Sequence, residues 1–551
     1  VIYLLLSLLV LLPLLFGWGK LTSRLLGFTF TSLWANLTAG IVGITVVASV
    51  VAFFFSLGIV FEIVVILIGL IGLVVSKNNF SEFFSLLKNR WLLVFIFLGV
   101  SITTFAPFIN DHFGYYVGTI KWLSEYGLVK GIANINLILG QQSSWHIFQA
   151  SFDAILDPFL RINLVLYTIF VLYLFEKKLW NLLLFIPFFF LFLHSPSPDL
   201  PIYIFSILLI VELFKTDYAE NFSVIWLLSV FIFTLKPTVF WLPLFVFLLG
   251  FKTNKQLLFS IKNILLTVVL VSLFFIKQIW VFGDFIFPIN SNLIDVSWKP
   301  STFLLELSNK IGLLKTYDYQ YTIPEINSWS TSDKIIKWLT LSGFKKIVNL
   351  VVVLAVFGFG FLAIKKRNTK LILLWVCITL KTIVIFYFSG QYRFMIDAVL
   401  PLVALVLLSI TLKPILSKGI TLAGIGLIFI VFLFPKILQE NVSSFYVGQL
   451  MGKPSAEQLT KPLEYSISDY NQHKVSNFTF HTPKNYHLMH DIPLPCLTPY
   501  SLHEFYVAGI FPYAYDENDF KKGFYLKKLS PSDKKKIDEI LKNYVIYYKI
   551  E

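Results

Sequence analysis

The chain has 551 residues, 57% of them hydrophobic and 14% charged, with a formal net charge of +14. Soluble domains hold about 45–50% apolar and about 25% charged residues, so a soluble enzyme, a disordered scaffold and a secreted disulfide module are excluded. Two cysteines, Cys377 and Cys496, build neither a disulfide framework nor a zinc site.

The apolar residues come as runs of the length that crosses a bilayer core. Fourteen are expected to be helices: 2–18, 40–57, 59–76, 91–108, 161–175, 179–193, 200–214, 222–235, 238–250, 262–280, 347–364, 371–388, 396–411 and 419–435. The first has no basic segment ahead of it and no small-residue cleavage site behind it, so it is expected to be an anchor, not a removed signal. The predicted fold class is an all-α polytopic membrane protein of about 12–14 transmembrane helices with a small α+β C-terminal domain. Its parts are N-terminal spans over 1–90, a core over 91–435 with long loops at 109–160 and 281–346, and a C-terminal domain over 436–551. That last part is expected to end in a capped helix (530–543) and a strand (544–550).

The loops alternate in charge. One set collects Lys20, Arg24, Lys77, Lys88, Arg90, Lys177, Lys178, Lys215, Lys252, Lys255, Lys262, Lys365, Lys366, Arg367, Lys370, Lys413 and Lys418. Against them stand Glu82, Glu176, Glu212, Asp217 and Glu220. The positive-inside rule makes this side cytoplasmic and the C-terminal domain extracytoplasmic. The net charge is thus an orientation signal and gives no ground for a nucleic-acid partner.

On the other side the first long loop opens with Asp111 and His112. Residues 113–127 mix aromatic and apolar side chains with Lys121 and Glu125, as a helix in the membrane interface does. Asp111 is either a general base for a polar acceptor or the cap of that helix. Further along, Asn134, Asn136, Gln141, Ser143, Ser144, Trp145 and His146 make a polar, aromatic patch of a kind that binds sugars and that ordinary loops also show. Asp153 and Asp157 lie four apart, with Asp157-Pro158 expected to cap the next span.

Asp199, in HSPSPDLP (194–201), either caps the span it precedes or joins Asp111 at one site. The two acids, with His112 and His194, would bind a divalent metal or divide base and orienting roles; the spacing matches no metal motif, and no cofactor is assigned. Lys236, Lys277 and Arg393 lie near the same ends of their spans, where they would grip a lipid phosphate or snorkel to ordinary headgroups. Glu62 is expected to snorkel or to accept a hydrogen bond. Glu62, Lys277, Lys381 and Asp397 are the charges available to a transport path. No P-loop or Rossmann fingerprint occurs, which disfavours a nucleotide-driven enzyme.

Taken together, Asp111 followed by Tyr115 and Tyr116, Asp199 ahead of a span, and Tyr392-Arg393 before Pro401 resemble the integral-membrane glycosyltransferases of the GT-C fold. Family members place the first acid after the first span, whereas four runs precede it here. The stretches DHFGYY, SSWHIF and SPSPDLP are also similar to those of uncharacterised bacterial envelope membrane proteins. The resemblance implies residence in a bacterial plasma membrane and a polyprenyl-phosphate-linked sugar donor. It implies a glycan, lipid or protein acceptor, with membrane lipids around the chain. It implies that Asp111 is the base or a metal ligand and that Arg393 contacts the donor's phosphate. From the residues themselves, Asp199 is the second expected catalytic acid, and Lys236, His112, His194, Tyr116 and Tyr392 are expected to join Arg393 in binding substrate. A polysaccharide polymerase or ligase, a lipid-linked oligosaccharide flippase and a non-catalytic assembly protein are the rival expectations.

Overall fold

A computed structural model describes residues 1–28, 32–75, 85–215, 218, 221–343, 345–436, 454–464 and 469–544. The protein is mostly helical. Among the described residues six helices are long and apolar enough to cross a bilayer: Ile2–Leu26, Leu33–Val51, Ile261–Phe282, Lys345–Lys365, Thr369–Ser389 and Pro414–Leu433. Shorter apolar helices cover Ile59–Val75, Arg90–Thr103, Trp180–Phe192, Phe222–Leu235, Pro237–Thr253 and Ile396–Leu408. Each expected run is therefore helical, but fewer than fourteen reach bilayer length on their own.

Two deviations have local causes. The second helix starts at Leu33, not near 40: Asn36 and Thr38 lie within it, buried between helices, so their polarity does not mark its end. The 180–192 segment is a short α-helix, Ile186–Phe189, flanked by two 3-10 turns. Pro187 in its first turn has no amide proton, so the ladder cannot run through it.

Glycine contacts set the packing of the first three helices. A Cβ on Gly17 would meet the Gly69 carbonyl oxygen at 2.0 Å, and one on Gly40 would meet the Leu15 carbonyl oxygen at 2.0 Å. Such backbone-to-backbone approach is how helices associate where no hydrophobic force separates lipid from protein. Inside them, Asn163–Lys177 and Asp199–Leu213 are buried almost all round and form the centre of the bundle. Asp199–Leu213 packs against Ile396–Leu408, and Trp241–Thr253 against Thr369–Ser389.

The C-terminal region holds two antiparallel hairpins, β1 (Tyr470–Val475) with β2 (Phe478–Pro483) and β3 (Ile510–Ala514) with β4 (Phe524–Lys528). Helices Pro499–Ala508 and Pro531–Leu541 flank them, the second capped by Ser530, whose hydroxyl accepts from the Asp533 amide. The strand expected over 544–550 lies, apart from Tyr544, outside the described residues. The region docks on the first long loop. The Phe524 amide donates to the Lys130 carbonyl at 3.0 Å, the His490 amide to the Phe113 carbonyl at 3.0 Å, and Lys121 pairs with Asp491 at 2.9 Å. Helix Val117–Tyr126 is consequently buried under this region along one side and does not lie free in the interface as expected.

The 281–346 connection is also more structured than its sequence suggested. It folds into helices Thr302–Thr316, Ile323–Ser328 and Thr331–Leu339. Two of them begin in capping boxes, Thr322 with Glu325 and Ser330 with Asp333.

Candidate functional site

Asp111 sits at the end of the segment leaving helix Arg90–Thr103, in helical conformation (φ −62°, ψ −24°), and heads a π-helical turn, His112–Tyr116. Single π turns recur at functional sites because the widened turn re-aims side chains. The Asp111 side chain makes no cap bond to that turn. Instead Arg393 Nη1 donates to Asp111 Oδ2 at 2.7 Å. Burial pushes the Asp111 carboxyl up, but the charge and hydrogen bond of Arg393 outweigh it and hold the group below its ordinary value. For Arg393 burial opposes the charge, and Asp111, then Asp199, overcome it and raise the guanidinium pKa.

The loop carrying Arg393 is fixed from three directions. Trp338 Nε1 donates to the Gly390 carbonyl at 2.7 Å, the Tyr203 hydroxyl donates to the Arg393 carbonyl at 3.3 Å, and Met395 is buried. Arg393 then lies 5.1 Å from the Phe394 ring centroid, and the Lys236 ammonium lies 4.7 Å from the same ring.

Asp199 is the first residue of its helix, with Pro198 at the cap position, so the carboxylate is not the N-cap the sequence allowed. It pairs with Lys236, both side chains buried. The turn ahead of it is held by Asn163, whose Nδ2 donates to the carbonyls of Phe192 (2.9 Å), Ser195 (2.7 Å) and Ser197 (3.1 Å). Trp145 Nε1 in turn donates to Asn163 Oδ1 at 2.7 Å. Asn163 drew no attention in the sequence, where it is one polar residue heading an apolar run.

Other expected residues fall behind this front. His112 Nδ1 is 3.0 Å from Ser195 Oγ, and the Tyr116 hydroxyl approaches Ser197 Oγ at 3.5 Å. The His194 ring is buried, 4.5 Å from the Phe108 ring and 5.4 Å from Phe432. Burial first, and the Arg161 charge second, lower the pKa of both histidines well below the ordinary value, so they are neutral. They pack the site from behind and do not converge with the carboxylates. Among the described residues no group of three His, Cys, Asp or Glu side chains is placed to hold a metal ion. Each acid expected at a metal already has its own cation.

The polar patch over 134–146 is also structural. Asn134 donates to the carbonyls of Trp298 and Phe524, Asn136 caps a 3-10 turn, and Ser143 caps helix Ser144–Ala150 while donating to the Leu235 carbonyl. Lys277 does not snorkel; it is buried and donates to the Gln142 carbonyl. Glu62 accepts hydrogen bonds from the amides of Ala154, Ile155 and Leu156. Asp157 accepts from the Arg161 amide at 2.9 Å and organises the turn before its helix.

In front of Asp111 and Arg393 lies a cavity of about 430 Å³. Asn110, Gln391 and Tyr392 share its wall with them, and the opposite wall comes from the 281–346 connection and the helix after it: Lys315, Asp318, Tyr319, Trp338, Lys345 and Asn349. Lys345 pairs with Asp318. Lys315 carries no ion pair among the described residues, and burial, then the nearby Arg393 charge, lowers its pKa. The opposite wall was missed in the sequence. Its only signal there is a basic residue at the end of an amphipathic stretch, which also describes a solvated helix face.

The cavity, the two ion pairs and the docked C-terminal region all occupy one end of the bundle. The family described as Domain of unknown function (DUF8201) matches residues 1–400. The chain belongs to that family. The match takes in every residue named on the cavity wall, together with Asp199 and Lys236. No glycosyltransferase family is identified, and no curated protein and no solved structure matches this DUF8201 chain. Its helices make it an integral, multi-pass membrane protein.

Proposed function

We propose that this DUF8201 protein is a membrane glycosyltransferase that moves a sugar from a polyprenyl-phosphate-linked donor to an envelope glycan, lipid or protein acceptor. The observation that carries the reading is the Asp111–Arg393 pair on the wall of a cavity of about 430 Å³ that also holds Lys315, which has no ion pair among the described residues. A carboxylate, a guanidinium and an ammonium around one space of mixed polarity suit a base, a phosphate clamp and a recruiting charge. Tyr319, Trp338 and Tyr392 offer ring faces for a sugar, and Asn110, Asn349 and Gln391 offer amides.

In this reading the donor phosphate engages Lys315 and Arg393. Arg393 exchanges Asp111 for the phosphate, and the released carboxylate becomes the stronger base. Asp111 takes the proton of the acceptor hydroxyl as its oxygen bonds to the anomeric carbon. The bond from that carbon to the phosphate oxygen breaks on the opposite side, and the phosphate leaves with the electron pair, its charge met by Arg393 and Lys315. The gain comes from alignment and from stabilising the leaving group. Asp199 and Lys236 are positioning residues that set Phe394, and with it Arg393. The cavity end faces away from the cytoplasm, because the basic loops gather at the other end.

Thermal stabilisation by polyprenyl phosphate, compared with the phosphate-free polyprenol, tests the binding half. Stabilisation by the phosphate alone, lost in Arg393→Gln and Lys315→Gln, supports the reading. Equal stabilisation by the alcohol contradicts it.

A further inference from the structure

A second cavity lies in the opposite half of the bundle. It measures about 240 Å³ and is walled by Trp18, Leu25, Trp34, Val42, Leu228 and Leu270, among others, from helices Ile2–Leu26, Leu33–Val51, Phe222–Leu235 and Ile261–Phe282. On the last helix only the first half contributes (Leu266, Val269, Leu270), while Lys277 near its other end donates to the Gln142 carbonyl, in the long loop that opens with Asp111. The two cavities therefore belong to opposite leaflets. Apolar cavities of about 150 Å³ stay dry and take hydrocarbon. The wall from Trp18 to Leu26 spans eight residue steps, roughly 12 Å of helix rise, close to the depth of one leaflet's hydrocarbon.

The cleft opens onto an apolar outer face, where Leu25 is 85% and Val269 47% exposed. Its mouth is basic. Lys262 Nζ donates to the Gly27 carbonyl at 3.0 Å and stands 3.5 Å from the ring centroid of Phe28, which lines the cleft. An ammonium has three protons, so this bond leaves two for another acceptor. An apolar slot one leaflet deep with a cation at its rim matches an acyl chain below an anionic headgroup.

We infer that this cleft is a binding site for one anionic glycerophospholipid, its acyl chain between the four helices and its phosphate at Lys262. The site lies at the end the loop charges place toward the cytoplasm, the leaflet whose anionic lipids attract basic segments. It is independent of the cavity at Asp111 and of the chemistry proposed there.

The test is native mass spectrometry of the purified full chain, incubated with equimolar phosphatidylglycerol and phosphatidylcholine of matched acyl chains. Wild type is expected to retain one phosphatidylglycerol, favoured by about fivefold through the rim cation. Lys262→Gln should abolish that preference while one lipid is still held. Val42→Trp, which fills the slot, should abolish retention at an unchanged melting temperature. If Val42→Trp fails to fold, the charge variant alone decides. A preference unchanged in that variant overturns the proposal, as does no stoichiometric lipid on wild type. Preferential uptake of polyprenyl phosphate over both phospholipids also overturns it.

Discussion

Arg393 Nη1 and Asp111 Oδ2 lie 2.7 Å apart although 282 positions separate them in the chain. The pair lies across the cavity mouth and stays partly exposed, at 35% and 29% of the two side chains. Because Asp111 is held below its ordinary value of 3.8, the pair's contribution to stability is complete above that pH and is lost as pH falls through the lowered value. In the proposed reaction the same shift keeps the carboxylate of the free protein ionised. We predict that kcat/KM shows no acid limb from Asp111 at pH 4 and above, whereas kcat, which reports the complex after Arg393 has turned to the phosphate, shows one at higher pH.

Lys381 and Asp397 form a fully buried pair inside the bundle, with Trp241 Nε1 donating to the second carboxylate oxygen at 2.9 Å. Removing one member leaves a buried charge, so Lys381→Met should cost about 3–5 kcal/mol. The double variant Lys381→Met/Asp397→Leu should recover most of that, short of about 1–3 kcal/mol for the orphaned Trp241 donor. Unfolding of the two variants in one detergent checks the cycle. A double variant as unstable as the single one contradicts the pairing.

Glu62 ties the third helix, Ile59–Val75, to the 154–156 turn through three amide donors, of 3.0, 2.8 and 2.7 Å. Glu62→Ala orphans all three and should lower stability by about 3–5 kcal/mol. Glu62→Gln, which keeps one acceptor oxygen, should lose clearly less. Protease cleavage within 151–161 should rise in the same order.

Asp153 and Asp157, in the same loop, have carboxyl pKa values pushed up to about 7, chiefly by burial. The folded chain thus holds protons that the unfolded chain releases near pH 4. Stability should fall as pH rises from about 4 to about 7 and stay lowered above that. Asp157→Asn keeps the acceptor for the Arg161 amide and removes the titration, so the melting temperature should vary less between pH 5 and 8. An unchanged slope contradicts the assignment.

How much of this was legible in the sequence depends on the range of each interaction. Apolar runs and their breaks are local, so every expected helix is found, and the C-terminal helix behind Ser530 begins where its cap predicts. Helix ends were misjudged where polar residues are buried, as at Asn36 and Thr38. Asp111, Asp199, Lys236 and Arg393 are legible as candidates because each stands at the same end of its span. The structure brings them together, but in the pairs Asp111–Arg393 and Asp199–Lys236, which no spacing reveals. The far wall of the cavity was illegible, since Lys315, Asp318 and Lys345 sit in a connection whose amphipathic helices gain a meaning only once folded over Arg393. His112 and His194 show the opposite limit: a buried neutral imidazole and a ligand look alike in one dimension.

The most direct test is transfer of labelled sugar from a polyprenyl-phosphate-linked donor to extracted envelope acceptors, with wild-type protein, Asp111→Asn and Arg393→Gln in the same membranes. A general base is worth about 10²–10⁴-fold, so Asp111→Asn should lose at least about 100-fold in rate while still binding donor. Arg393→Gln should lose donor binding as well. Full activity in Asp111→Asn, or no transfer by wild type from any polyprenyl-phosphate-linked sugar, would contradict the account.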